Sequence, residues 1–197
     1  MNKLFVSLWI SILLLFLGGT LTIAAVPGSR MLQGIAGPDQ SLEQAYGLPV
    51  IVSKKRYDLA LMPESVFPKI NKPVKFTLIM ANPTEEPWHF SMKDLKVYSN
   101  IKNLEILKPE RIVAEAKKEF SMKEYKINQE QAKALAPYVE QKMQTLRDSL
   151  LKTQDIPPKG RIKGLIFIDV PHGTERLTIE VKAPGELHKF SLKIIEL

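Results

Sequence analysis

The sequence predicts a mainly β protein: an antiparallel β-sandwich with a helical insertion and an N-terminal signal or anchor helix. Three observations predict it. An uncharged apolar run opens the chain, short alternating apolar segments fill most of the remainder, and one stretch from about residue 110 to 154 changes to helical periodicity. The 197 residues include no cysteine, so we expect neither a disulfide framework nor a lipid-modified cysteine.

Residues 1–25 have the pattern of an export signal. Lys3 precedes an uncharged run from Leu4 to Val26, which Gly18-Gly19 interrupts and which ends in the small residues Ala24-Ala25. The run is also as long as the roughly 20 apolar residues that cross a bilayer, so membrane anchoring through residues 4–26 is the alternative. Cleavage after Ala24 or Ala25 is favoured, because the most apolar part is only as long as a signal core. Either outcome predicts an extracytoplasmic protein, periplasmic or secreted unless the anchor is retained.

The net charge of the chain limits the class of partner that we expect. Loss of Lys3 lowers the formal net charge from +7 to +6, on about 172 residues that suffice for one domain. A basic exported protein meets anionic surfaces more readily than nucleic acid, so an envelope protein or an anionic envelope surface is the expected partner. The lysines are scattered, which argues against a dedicated polyanion site. Residues 26–47 contain glycines and little periodicity, and they are predicted to be a flexible tether.

The folded domain is predicted over residues 48–197. Short apolar runs bounded by Pro, Gly and Asn indicate antiparallel strands. The first candidates are Pro49–Ser53, Tyr57–Met62, Val74–Asn82, Asp94–Ser99 and Leu104–Leu107.

The last strands are the clearest. Apolar and polar residues alternate through Leu177–Ala183 and Phe190–Ile194, and Ala183-Pro184-Gly185-Glu186 between them predicts a tight turn and a hairpin. Ile162–Val170 upstream is apolar on both faces, which predicts a central strand. A second turn at Val170-Pro171-His172-Gly173 predicts that this strand and the hairpin form a three-stranded meander.

One stripe of apolar residues recurs at steps of three and four within the insertion, as on one face of a helix. Its members are Ala132, Leu135, Val139, Met143, Leu146 and Leu150. Asn128 and Gln131 resemble a capping pair, and Pro137 predicts a kink or a restart of the helix. We expect the stripe to pack as core. The alternative is a partner-docking face formed by Leu135, Val139, Met143, Leu146 and Leu150.

Two segments resemble the immunoglobulin-like domains of small exported bacterial envelope proteins. Residues 74–88, VKFTLIMANPTEEPW, form a strand that ends in an Asn-containing turn. Residues 156–171, IPPKGRIKGLIFIDVP, contain a Pro-x-Gly lead into a strand that ends in Val-Pro. The resemblance covers about residues 74–195 and implies an immunoglobulin-like fold rather than an activity. The insertion departs from the short connection usual in that group, and there is no Cys…Trp…Cys pattern.

No catalytic or cofactor motif is present, so the sequence predicts a protein that is not an enzyme and needs no cofactor. His89, His172 and His188 could serve a hydrolase only beside a nucleophile and a carboxylate, and no nucleophile elbow or zinc-binding helix accompanies them. We therefore predict a non-enzymatic binding or assembly module of the cell envelope with no metal site.

Copper handling is the alternative function. In Trp88-His89-Phe90-Ser91-Met92, an imidazole and a thioether lie three residues apart, and monovalent copper accepts both ligand types. Met80 and Met122 could add sulfur. We expect instead that Met92 fills core and that His89 points outward, since the apolar residues of this segment alternate as one strand face would.

Overall fold

The computed structural model describes residues 28–119 and 129–197, and their backbone is mainly β. The predicted signal or anchor at 1–25, Met122 and Asn128 lie outside the described residues. The strands are β1 Arg30–Ile35, β2 Gln40–Ala45, β3 Leu48–Lys54, β4 Asp58–Pro63, β5 Val74–Ala81, β6 Trp88–Phe90, β7 Leu95–Ser99, β8 Asn103–Leu104, β9 Gln154–Ile156, β10 Arg161–Ile168, β11 Arg176–Ala183 and β12 Glu186–Glu196. The helices are α1 Pro109–Glu119 and α2 Gln129–Ser149, and a 3-10 helix covers Met92–Asp94.

The strands form two five-stranded sheets, which confirms the predicted antiparallel β class. Sheet I has the order β1-β12-β11-β7-β8, and sheet II has the order β10-β5-β4-β3-β2. β6 and β9 form a separate two-stranded pair. Every pairing within these sheets is antiparallel.

The core lies between the two sheets, because alternate residues of strands in both point into one buried cluster. Sheet II contributes Leu61 and Phe76, and sheet I contributes Ile179 and Phe190, all of them fully buried. The indole of Trp88 packs in the same cluster, with its ring centroid 4.9 Å from that of Tyr57 and 6.2 Å from that of Phe90. The arrangement is sandwich-like.

The tether predicted over residues 26–47 is replaced, from residue 30 onward, by two strands. β1 pairs with the C-terminal strand from Arg30↔Glu196 to Ile35↔Ser191, and β2 pairs with β3. The local composition does not predict either strand, because β2 is mostly polar on both faces and β1 contains Gly34. The extended conformation of each strand depends on the strand with which it pairs. The partner of β1 is distant in the sequence, and the partner of β2 lies beyond a tight turn.

β10 lies at an edge of sheet II, whereas the sequence predicted a central strand. Its outward residues Leu165 and Phe167 are covered by the helical insertion rather than by neighbouring strands, which explains why both faces are apolar. Beyond β10 the chain turns through Gly173, whose φ is +75°, and enters sheet I. The predicted three-stranded meander is therefore a strand of one sheet followed by a hairpin of the other.

The C-terminal hairpin is confirmed. β11 and β12 pair from Arg176↔Lys193 to Ala183↔Glu186, which leaves Pro184 and Gly185 as the loop. Gly185 has φ +79°, and proline followed by a residue with positive φ is the preferred sequence of a type II turn.

Candidate binding surface

The helical insertion is a pair of helices joined by charge contacts. The Lys117 Nζ atom of α1 lies 2.9 Å from the Glu140 Oε2 atom of α2, and the Arg147 Nη1 atom lies 3.3 Å from Glu140 Oε1. Hydrogen bonds from Lys117 and then Arg147 hold the pKa of the Glu140 carboxyl below its usual range. All three side chains are exposed, so these pairs orient the helices more than they stabilise the fold.

The base of the helical pair is fixed to the outer face of β10. Ile112 of α1 and Leu150 after α2 are buried in a small cluster with Leu107, against which Leu165 and Phe167 also pack. The Leu151 N–H donates to the Leu165 carbonyl oxygen at 2.9 Å.

Two further contacts hold the base of the helical pair against β10. A Cβ atom at Gly164 would lie 2.5 Å from the Leu151 Cα atom, so only glycine permits this approach. Arg111 of α1 donates from Nη2 to the Asp169 carboxylate at 2.9 Å, just beyond the end of β10.

The predicted apolar stripe divides into a buried part and an exposed part. Met143 is 2% exposed and Leu150 is buried, while Val139 and Leu146 are half-buried. Leu135, one turn before Val139, is 44% exposed. The expectation that the stripe is core holds for its C-terminal half, and nothing is described for the Ala132 side chain.

Leu135 and Tyr138 form what we call the distal face of α2. Tyr138 is 51% exposed, and the Lys142 ammonium lies 5.3 Å from the centroid of its ring. Pro137 lies within the helix that runs from Gln129 to Ser149, so the helix does not restart there.

A groove runs between the helical pair and sheet II. Its cavity of about 370 Å³ has an apolar floor that includes Phe167, Ile112 and Leu146. Lys69, Lys72 and Lys75 lie at its rim together with Glu115. The Lys75 ammonium lies 3.6 Å from the Glu64 Oε2 atom and 5.7 Å from the Phe167 ring centroid. Sequence reasoning missed this site, because Lys69 and Lys72 lie in a loop and Lys75 at the start of β5, and three lysines placed in this way give no periodic signal.

His89 and Met92 differ in their surroundings. His89 lies on β6, exposed, with its Nδ1 atom 2.6 Å from the Asp155 Oδ1 atom of β9. Met92 is partly buried and packs against the main core. The structure thus agrees with the expected outward His89 and inward Met92. The structure also places the Asp155 carboxylate beside His89, although the two residues are 66 positions apart in the sequence. Met80 is fully buried in the core.

A polar contact that the sequence does not predict joins the two sheets, and we call Ser53, Glu186 and His188 the inter-sheet clasp. His188 was expected to be a polar residue at a strand start, but it is fully buried in β12. Its Nδ1 atom lies 2.9 Å from the Ser53 Oγ atom of β3, and its Nε2 atom lies 2.8 Å from the Glu186 Oε1 atom. The same carboxylate accepts hydrogen bonds from the backbone N–H groups of Tyr57 and Arg56, at 2.9 and 3.2 Å.

The pKa values in the clasp favour a neutral imidazole beside a carboxylate. Burial lowers the pKa of His188, although Glu186 opposes this shift. Burial raises the pKa of Glu186, but hydrogen bonds from Tyr57, His188 and Arg56 outweigh it and leave the pKa below its usual range. The imidazole then donates from Nε2–H to Glu186 and accepts at Nδ1 from the Ser53 hydroxyl. A serine, a histidine and a carboxylate in contact resemble a catalytic triad, but Ser53 is fully buried, so the contact serves packing.

Comparisons of the chain with protein-family models, curated proteins and solved structures give no match. The immunoglobulin-like resemblance therefore stays a prediction. Within residues 28–119 and 129–197, no helix is long and apolar enough to cross a bilayer.

Proposed function

We propose that this protein is a non-enzymatic binding or assembly module of the cell envelope, an exported immunoglobulin-like sandwich. In this proposal, the distal face of α2 binds an envelope protein. The base of the helical pair holds that face in a fixed position on the sandwich.

The observation that carries the proposal is the change from buried to exposed along one apolar stripe. The apolar stripe of a helix on a folded domain normally faces the core. Here the stripe is buried at Met143 and Leu150 but reaches solvent at Leu135, beside an exposed aromatic ring at Tyr138. Aromatic side chains are enriched among the residues that dominate binding energy at protein interfaces.

Charge supports an additional contact with an anionic envelope surface. The chain carries a formal net charge of +7, and the lysine-rimmed groove lies at the base of the same helical pair. Anionic groups would be attracted to this side of the molecule at low ionic strength.

Capture of partners from envelope extracts tests the proposal. Removing residues 110–154 would also remove Leu150, Leu151 and Ile112 from buried clusters, so substitutions on the distal face are the sharper test. The full-length chain with Leu135→Asp and Tyr138→Asp should lose at least nine tenths of the captured partner, because charge on both residues prevents burial of this face. Gln141→Asp, an exposed change on the same helix, is the matched control. Equal capture by the double variant, with unchanged circular dichroism, would contradict the proposed role of the distal face.

Copper handling through His89 and Met92 is the second candidate function. The contact between His89 Nδ1 and Asp155 favours it, because metal-binding histidines often donate their other ring N–H to a carboxylate. The packing of Met92 against the core opposes it.

A competition titration with Cu(I) separates the two candidates. We expect the purified protein to bind Cu(I) no more weakly after His89→Ala or Met92→Ala than before. Tight, stoichiometric binding that both substitutions abolish would favour the copper function.

A further inference from the structure

Hydrogen bonds from other segments cover two of the four outer edges of the two five-stranded sheets, and a third edge, β8, is very short. At the β1 edge, Arg30 N–H donates to the Pro68 carbonyl at 2.8 Å and Leu32 N–H to the Val66 carbonyl at 3.0 Å. At the β10 edge, Leu107 and Leu151 each donate an N–H to a β10 carbonyl at 2.9 Å. β8 is only two residues long, and the chain beyond it crosses to sheet II at Ile106↔Ile168.

The β2 edge differs from these three. In the described part of the chain, no backbone hydrogen bond from another segment reaches residues 41–45 on the side away from β3. Open strand edges are templates for pairing with another chain, and proteins usually protect them with proline, lysine or a covering segment. Residues 40–45, QSLEQA, contain neither proline nor lysine and carry one charge, on Glu43.

The hairpin turn determines which β2 groups point outward. Tyr46 and Gly47 have φ values of +54° and +76°, as in a type I′ turn, and Ala45↔Leu48 closes that turn. Hydrogen bonding alternates along an antiparallel ladder, so Ala45 and Glu43 bond to β3. Leu42 and Gln44 therefore direct their N–H and C=O groups away from the sheet.

Exposed apolar side chains gather at this edge. Leu42 is 51% exposed and Tyr46, at the hairpin tip, is 98% exposed. Ile35 and Leu187, both exposed, line the small cavity at the start of β2 together with Gln40. Leu42 lies opposite Ile51 of β3, whose side chain belongs to the core, so Leu42 is the apolar residue at this edge on the core-facing side of sheet II.

We propose that β2 pairs antiparallel with β2 of a second copy of this chain, about a two-fold axis at Leu42. In this register Leu42 faces the partner's Leu42, Glu43 faces the partner's Ser41, and Gln44 faces the partner's Gln40. Like charges do not face each other, whereas a register centred on Glu43 would oppose two carboxylates. The pairing joins sheet II of both copies into one ten-stranded sheet.

The backbone of β2 suits this register. Each Leu42 N–H donates to the partner's Leu42 carbonyl, and each Gln44 N–H donates to the partner's Gln40 carbonyl, which gives four hydrogen bonds. The Gln40 N–H takes no part, because it already donates to the Gly37 carbonyl at 3.2 Å.

Single cysteines test the register directly, because the chain has none. In a hydrogen-bonded antiparallel pair the Cα atoms lie about 5.5 Å apart, within disulfide range. Leu42→Cys in the full-length chain should give a covalent dimer on mild oxidation. Gln44→Cys is the matched control, since the two Gln44 residues are offset by about 14 Å along the strands. Equal crosslinking at both positions, or a disulfide-free Leu42→Cys chain, would overturn the proposal.

Charge at the axis gives an independent test by light scattering on the full-length chain. Leu42→Lys places two ammonium groups opposite each other and should shift the mass from dimer to monomer. Ser41→Lys faces the partner's Glu43 and should leave the dimer intact. A monomeric unsubstituted chain, a dimer that Leu42→Lys leaves unchanged, or Leu42→Cys crosslinked to a different protein would each exclude self-pairing.

Discussion

At the scale of single residues, the inter-sheet clasp is the most informative contact. Ser53 belongs to sheet II and His188 to sheet I, so their hydrogen bond joins the two layers. Glu186 also binds the backbone of the β3–β4 connection through Tyr57 and Arg56. Loss of the His188 imidazole would remove the partner of the buried Ser53 hydroxyl, which is costly inside a core.

The clasp predicts a pH dependence of stability. Burial lowers the pKa of His188 in the folded protein, so between that value and the unfolded value of about 6.5 the unfolded chain binds more protons. The free energy of unfolding should therefore fall as pH drops below about 6.5. The lowered pKa of Glu186 adds a further loss at lower pH, below about 4.3.

Urea unfolding at pH 7.5, 6.5 and 5.5 measures this dependence. His188→Gln should flatten the change in unfolding free energy over this range, whatever its effect at pH 7.5. His89→Gln, an exposed histidine change, is the control and should keep the slope. If His188→Gln leaves the pH dependence of the unfolding free energy unchanged, a group other than His188 causes that dependence.

At the scale of elements, one helix has a buried half and an exposed half. The C-terminal half of α2 covers the outer face of β10, and the N-terminal half carries the exposed distal face. Periodicity reports only that the apolar residues share a face. It cannot report where along the helix the neighbouring strand ends.

The same substitution at two positions of α2 should therefore have different effects. Leu146→Ala removes a half-buried side chain that packs against the base cluster, and should cost about 1 to 3 kcal/mol of unfolding free energy. Leu135→Ala should stay within about 0.5 kcal/mol, because that side chain is largely exposed.

Denaturant midpoints of the two variants and of Gln144→Ala provide the comparison. Gln144 is exposed and bonds only along the helix surface, to Asp148 and Arg147, so its replacement should be nearly silent. Equal losses for Leu146→Ala and Leu135→Ala would mean that the exposed half is also buried in solution.

At the scale of the whole molecule, the predicted export signal leads to a prediction about the location of the mature protein. If residues 1–25 are an export signal, the mature protein should begin near Ala25 or Val26 and occur in the soluble extracytoplasmic fraction. Intact mass and cell fractionation measure both properties. A mature chain that still carries residues 4–17 and sediments with membranes would identify an anchored protein instead.

The sequence by itself determined the antiparallel β class, the turn at Pro184-Gly185 and the change to helix within residues 110–154, because turn chemistry and periodicity act over a few residues. It also indicated that His89 points outward and that Met92 packs inward. Only the tertiary structure decided that β1 and β2 are strands, that β10 is an edge strand and that His188 is buried. Three of these depend on a partner that is distant in the sequence: β12 for β1, the helical pair for β10, and Ser53 for His188. β2 depends on β3, beyond the turn at Tyr46-Gly47. Such partners meet only in the folded chain, so local patterns cannot specify them.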